Sequence, residues 1–425
     1  MLSPADAALV NRDPRLAGLS LLLDPEAMSQ TLRQKMPQIE VEAVRATYVR
    51  YKPQTSCLVG YRLQTAVAEV DFYAKAYRLD AHDKLNKARL KSNPVTPATL
   101  GISILDDVAV ILYPFPNDHT LPILPRLVNP HARQQLLTRL LPNQPQLWQA
   151  QLYPLRYKPE RRYVGQLVAE NGDCAVLKAY TVADFQRIDN NFKAFCSNGT
   201  VRLAQQAGRS SGHQLIALAW LPGQTLEQVS QSSSFEPGVA QSVGAALAQL
   251  HGKNSAHLMQ RFDARAALSA AVKSVTAVCP HLAEQVRKLA GQLTLDLLHM
   301  PNPHVPLHGD FSADQVLLTD TGLVFLDFDR VARGDPAADL GSFIAQLEYD
   351  VLLGRLPAQL SAALQAGLVA GYRRAAPHGV PAGLSSHIVA GLVQRVAHPF
   401  RNREPNWPDH IEAILQRAWE IFSHA

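Results

Sequence analysis

Apolar and polar positions alternate from Thr47 through TYVRYKPQTSCLVGYRL, and a second such piece, VAEVDFYAKAY, ends near Tyr77. Period-two alternation over these lengths predicts half-buried strands. Residues 1 to about 45 lack it and read as helical, with breaks at Pro4, Pro14 and Pro25. Residues 81 to 91, AHDKLNKARLK, read as a short basic helix. ILDDVAVILYPFPNDHTLPIL then reads as a strand pair with a proline-rich exit.

The same order returns further along. LRYKPERRYVGQLVAENGDCAVLKAY, from Leu155 to Tyr180, predicts strands joined at Asn171-Gly172-Asp173. TVADFQRIDNNFKAF is helical in pattern, and HQLIALAWLPGQTLEQV closes the unit. Arg50-Tyr51-Lys52-Pro53 matches Arg156-Tyr157-Lys158-Pro159, and Ala74-Lys75-Ala76-Tyr77 matches Leu177-Lys178-Ala179-Tyr180. Phe115-Pro116 with Thr120-Leu121 matches Leu221-Pro222 with Thr225-Leu226. A common offset of about a hundred residues makes this an internal repeat.

From residue 238 the spacing turns helical. GVAQSVGAALAQLHG (238–252) ends on Gly252, and residues 263 to 299 form an amphipathic stretch broken at Pro280. Further helices are expected over Leu340 to Leu356, Pro357 to Ala375, His387 to Val396 and Pro408 to the end. His398 to Glu404 reads as a polar, aromatic loop that either lines a substrate cleft or connects two helices.

Candidate chemistry sits between these helices, in LHGDFSADQVLLTDTGLVFLDFDRVARGDPAAD from Leu307 to Asp339. Val316 to Leu318 and Leu323 to Leu326 are apolar around the turn signal Asp320-Thr321-Gly322, which predicts a β-hairpin. An antiparallel pair sets the start of its first strand beside the end of its second. Gln315 and Asp327 therefore meet at the open end, with Asp310 in the entering loop. A carboxylate and an amide oxygen suit a divalent cation, and a further carboxylate suits an accepting hydroxyl, which is the arrangement phosphoryl transfer requires.

HGDFSADQ, LDFDR and GDPAADL together resemble the catalytic signature of the aminoglycoside phosphotransferase and choline-kinase-like superfamily. The resemblance covers the C-terminal two-thirds of the chain. It implies an α+β, protein-kinase-like bilobal fold, with an antiparallel-sheet N-lobe and a mainly helical C-lobe. By resemblance Asp310 is the catalytic base, Asp327 a metal ligand, and Gln315 a second ligand where the family usually has Asn. Lys178 corresponds to the phosphate-binding lysine, and the segment Ala219 to Gly223, with Trp220 and Leu221, to the hinge that meets the adenine edge. The repeat then reads as the N-lobe present twice. The gln-bearing loop and the extra N-terminal piece are also similar to bacterial maltokinases.

Several positions depart from protein kinases or stay open. No GxGxxG is present, so phosphate cover falls to side chains such as Arg162 or to a few amides. The acidic partner of Lys178 is Asp184 or Asp189, with Asp189 preferred. His308 is expected to hold the loop rather than to transfer protons, and Asp335 and Asp339 to be supports. Only the second repeat runs into a catalytic lobe, so the first is expected to be a scaffold and Lys75 to be dispensable for ATP.

Composition narrows the class. The 425 residues are too many for one ordinary core, and 47% hydrophobic with 18% charged residues is globular. Net charge is +5, which suits anionic nucleotides without implying nucleic acid. Cys57, Cys174, Cys196 and Cys279 form no CxxC pair, so neither a disulfide framework nor a zinc site is indicated. The expected domains are an N-lobe-like cap over 1–130, an N-lobe over 131–222 and a helical catalytic lobe over 223–425. The expected protein is a cytoplasmic kinase using ATP and Mg2+ on a hydroxyl of a sugar or amino sugar, with no nucleic-acid or membrane partner. An aminoglycoside or amino-alcohol acceptor, or a nucleotide-binding pseudokinase, is the alternative.

Overall fold

The computed structural model describes residues 2–37, 40–66, 68–90, 101–194, 202–232, 235–301 and 303–424, with backbone alone for 192–194. Lys91, Phe195 and Cys196 lie outside the described residues. Helices α1 (Pro4–Arg12), α2 (Leu19–Leu23) and α3 (Pro25–Lys35) lead into strands β1 (Val41–Lys52), β2 (Ser56–Thr65) and β3 (Glu69–Tyr77). After α4 (His82–Arg89) come β4 (Ser103–Leu105) and β5 (Val110–Pro114). Helices α5 (Leu124–Val128) and α6 (Pro130–Leu140) precede β6 (Gln151–Lys158), β7 (Arg162–Val168) and β8 (Cys174–Tyr180). Then follow α7 (Val182–Ala194), β9 (Arg202–Leu203), β10 (Gln206–Ser210) and β11 (Leu215–Ala219).

Two expectations for the N-terminal region need correcting. Pro4 does not break a helix but begins one, and the break at Pro25 separates α2 from a new helix that this proline opens, because proline at the first helical position forfeits no hydrogen bond. The caps are Ser3, which accepts from the Asp6 amide, and Asp24, which accepts from Glu26 and Ala27. The first strand also starts earlier than Thr47, at Val41.

The chain divides into two compact units, Met1–Phe185 with Gln206–Ala219 and Phe400–Pro405, and the remainder. The first unit holds two five-stranded antiparallel sheets of one design, ordered β1-β2-β3-β5-β4 and β6-β7-β8-β11-β10. Lys75 on β3 lies opposite Leu58 and Ile111, and Lys178 on β8 opposite Val164 and Ile216. The repeat extends further than its strands. Asp24-Pro25 opening α3 corresponds to Asn129-Pro130 opening α6, each cap side chain accepting from its helix. Buried Leu16, Leu19, Leu22 and Leu32 recur at one offset as buried Leu121, Leu124, Leu127 and Leu137.

Hairpin anchoring is duplicated as well. Tyr51 donates its hydroxyl to Asp13 at 2.8 Å, and the Gln54 amide reaches the same oxygen at 2.8 Å. Tyr157 donates to Asp118 at 2.7 Å, and the Glu160 amide reaches that oxygen at 2.8 Å. Burial, with the adjacent carboxylate, pushes both phenols above the ordinary tyrosine range, so each stays a donor.

The second unit is mainly helical: α8 (Leu226–Ser230), α9 (Val239–His251), α10 (Ala264–Val278), α11 (Ala283–His299), α12 (Ala337–Leu352), α13 (Ala358–Ala375), α14 (Leu384–Arg395) and α16 (Trp407–Ser423). A short helix, α15 (His398–Arg401), occupies part of the stretch expected as a loop between the last two. Strands β12 (Gln224–Thr225), β14 (Val316–Thr319) and β15 (Gly322–Phe325) form a sheet with β9, while β13 (Val305–Leu307) pairs with β16 (Ala332–Gly334). Its core gathers Leu247, Leu340, Phe343 and Leu368 from the helices with Phe311, Val316 and Phe325 from the hairpin region. Antiparallel sheets followed by a mainly helical unit give the α+β, protein-kinase-like order. No described helix is long and apolar enough to cross a membrane.

Candidate active site

The acidic hairpin forms as its pattern requires. Val316 pairs with Phe325 and Thr319 with Gly322, leaving Asp320 and Thr321 at the tip. The Leu326 amide donates to the Gln315 carbonyl at 2.9 Å, which carries the pairing past the strand ends. Gln315 and Asp327 thus flank the open end together.

Asp310 is presented by a loop with little freedom. β13 leads into His308 and Gly309, where Gly309 adopts φ +79 and an added Cβ would collide with the Arg330 carbonyl. Asp339, at the start of α12, receives the His308 amide at 2.7 Å and the Gly309 amide at 2.9 Å. Asp339 also takes His251 Nε2 at 3.1 Å, and His251 Nδ1 meets the Tyr372 hydroxyl at 2.9 Å. Burial by itself would raise the Asp339 carboxyl, but the hydrogen bond from His251 and the nearby imidazoles hold it below the ordinary value.

His308 is wholly buried, with Nε2 2.7 Å from the Leu326 carbonyl and its ring against Phe311 and Phe328. Nε2 must donate to that carbonyl, so the imidazole ties the Asp310 loop to the end of β15. Asp310 itself is half-exposed, with the Arg330 guanidinium 3.5 Å away. An exposed pair at that distance is weak, and the carboxylate is open to an incoming hydroxyl.

Asp327 and Gln315 fit a divalent cation that takes its remaining ligands from phosphates and water. The Gln315 amide nitrogen donates to Asp314 Oδ2 at 2.6 Å, which leaves its carbonyl oxygen as the acceptor for an ion. Asp327, in a left-handed conformation at φ +58, supplies the carboxylate. Among the described residues no group of three or more His, Cys, Asp or Glu side chains is placed to hold a metal.

The other sequence candidates fall as follows. Lys178 is buried in the middle of β8 and Arg162 opens β7, both in the first unit. Trp220 and Leu221 belong to the second unit, whose segment Trp220–Pro399 begins directly after Ala219. Of the two carboxylates proposed for Lys178, Asp184 is engaged by Thr181 in the first turn of α7, at 3.1 Å, and Asp189 is buried. Asp335 caps the Ala337 amide at 2.8 Å and lies 3.4 Å from His387. Sequence reasoning missed Asp339 as the acceptor for the loop amides, and it missed Asp13 and Asp118 altogether. The constant offset of the two aspartates, had the repeat been followed into the helices, would have found them.

Residues 176–378, just under half of the chain, match the Phosphotransferase enzyme family. No curated protein matches the chain. Among solved structures, a choline/ethanolamine kinase family protein from Mesorhizobium loti is similar at 17% identity and TM-score 0.48, covering 68% of this chain and 92% of that one. A choline kinase from Cryptosporidium parvum is similar at 11% identity and TM-score 0.49, over 70% and 96% of the two chains. A macrolide 2'-phosphotransferase from Brachybacterium faecium stands at 21% identity and TM-score 0.41, over 62% and 91%.

Proposed function

From the match of residues 176–378 to the Phosphotransferase enzyme family, we propose that the chain is a small-molecule kinase of the aminoglycoside phosphotransferase and choline-kinase-like group, one that transfers the γ-phosphate of ATP to a sugar or amino-sugar hydroxyl. The observation that carries this is the half-exposed Asp310, held beside a hairpin whose open end joins Gln315 and Asp327. In this reading Asp310 accepts a hydrogen bond from the acceptor hydroxyl, orients its oxygen towards the phosphorus, and takes its proton as the bond forms.

Gln315 and Asp327 hold Mg2+, which when bound neutralises charge on the nucleotide phosphates. Lys178 and Arg162 are assigned to the phosphates, and the backbone at Trp220 and Leu221 to the adenine edge. Catalysis of this kind comes from positioning and charge neutralisation rather than covalent chemistry.

The carboxylates of the helical unit favour a neutral sugar over a polycation. Glu348 is engaged by Arg417 at 2.8 Å and Gln365 at 2.7 Å. Asp350 accepts two bonds from Gln346, and burial raises its carboxyl above the ordinary value. Groups already matched within the protein are poorly suited to bind several ammonium groups. The test is ADP release with ATP and magnesium across sugars, amino sugars, amino alcohols and aminoglycosides. Stimulation by sugars or amino sugars supports the proposal, and stimulation by aminoglycosides or amino alcohols alone refutes the acceptor class.

A further inference from the structure

Lys75 occupies in the first sheet the register that Lys178 occupies in the second, yet its ammonium is taken. Its Nζ lies 2.8 Å from each carboxylate oxygen of Glu160, and Arg50 pairs with the same carboxylate. The Glu160 side chain is 5% exposed, and the partly buried Lys75 and Arg50 close over its carboxylate. Glu160 belongs to the other copy: it sits in the turn between β6 and β7, directly before Arg161 and Arg162.

The choice of residue is informative. Glu160 has φ +55, a left-handed conformation that glycine or asparagine adopts more cheaply. Its counterpart Gln54 has the same conformation at φ +56, but its side chain meets Arg15 at 3.4 Å on the surface. A glycine at 160 would relieve the backbone and lose the carboxylate. The turn is also held from behind, by the Asp118 carboxylate on the Glu160 amide and by Pro159 lying over Gly60.

We propose that Lys75 and Arg50 form an anion clamp whose permanent ligand is the Glu160 carboxylate, and that this clamp fixes the β6–β7 turn for phosphate binding. Its link to catalysis rests on the function proposed above, in which Arg162 covers the nucleotide phosphates. The first copy then acts on the reaction through the second. A phosphate loop without glycine amides depends on side chains, and side chains on a hairpin tip bind well only if the tip is held. Lys75, Arg50 and Glu160 are positioning residues, and the expectation that Lys75 is dispensable for ATP is replaced.

The test uses Lys75→Met, Glu160→Gln and the doubly substituted Lys75→Met/Glu160→Leu in the full chain, with Lys75→Arg as the conservative variant. Each single substitution should raise the KM for ATP about three- to tenfold with kcat little changed, and the double should be no worse than either single. Lys75→Arg should restore the KM. A KM that falls in Glu160→Gln would show that Glu160 acts as a repulsive charge, and additive effects would show two separate roles; either overturns the clamp.

Amide hydrogen exchange at Glu160 to Arg162 gives a readout that needs no substrate. Exchange should quicken in Lys75→Met and in the double variant, which remains informative if a single substitution folds poorly. Unchanged exchange overturns the clamp whatever the kinetics show. Quickened exchange with an unaltered KM overturns instead the phosphate role given to this hairpin.

Discussion

The Asp339 carboxylate accepts the backbone amide of His308 at 2.7 Å across 31 residues of sequence. With the Gly309 amide on its second oxygen and His251 beside it, Asp339 is the point from which the Asp310 loop hangs. Truncation to Asp339→Ala would leave two amides and an imidazole buried without an acceptor, at a cost of about 3 kcal/mol or more. Denaturant unfolding of the variant measures that loss.

The same carboxylate predicts a pH dependence. Its folded pKa is depressed, so it binds fewer protons folded than unfolded. Its contribution is therefore complete above the unfolded value of about 3.9 and is lost as pH falls through the lower folded value. Asp339→Asn should be less stable than wild type at neutral pH and should lose less stability on acidification. Parallel thermal melts between neutral pH and about pH 3 would show the two curves converging.

The hairpin was legible because its signals are local. Val316 to Leu326 carries apolar runs, a turn and two flanking polar groups within a dozen positions, and the strands need only pair with each other. His308 could be assigned to holding the loop because the resemblance places it in a kinase-like catalytic loop, directly before Gly309 and Asp310. Asp339 reads from sequence only as a support, since nothing in GDPAADL says that two amides thirty residues away need an acceptor. The repeat showed first at RYKP because those residues recur by identity. Its helices recur at scattered positions, Leu for Leu and Pro25 for Pro130 but Asp24 for Asn129 and Met36 for Leu141, with no run of identities as long as RYKP to mark them. Glu160 was silent for a related reason: one glutamate in a basic turn reads as surface until its partner strand is known.

Gly309→Ala should disable the loop. The φ of +79 is strained for alanine, and the added methyl would meet the Arg330 carbonyl, so Asp310 must shift. Since a misplacement of about 1 Å can cost a hundredfold in rate, turnover should fall about that much while the fold survives. Steady-state kinetics alongside a circular dichroism melt separate the two effects.

Asp327→Ala removes the one carboxylate assigned to the metal. Nucleotide titrations with and without magnesium should then coincide, whereas in the wild type magnesium tightens binding. A magnesium effect retained in the variant would move the metal site elsewhere.

Gln315→Asn shortens the side chain by one methylene, which withdraws its amide from Asp314 and its oxygen from the open end of the hairpin. Turnover should fall and the magnesium requirement rise. A large gain in turnover would instead mean that the loop is still shaped for asparagine. Rates measured over a magnesium series decide between them.

The central claim is that Asp310 orients and deprotonates an acceptor hydroxyl in a working kinase, and kcat for acceptor-dependent ADP release by Asp310→Asn tests it most directly. The account predicts a fall of about a hundredfold or more with nucleotide affinity nearly unchanged, because Asn keeps the shape and loses the proton acceptor. An unchanged kcat would contradict it.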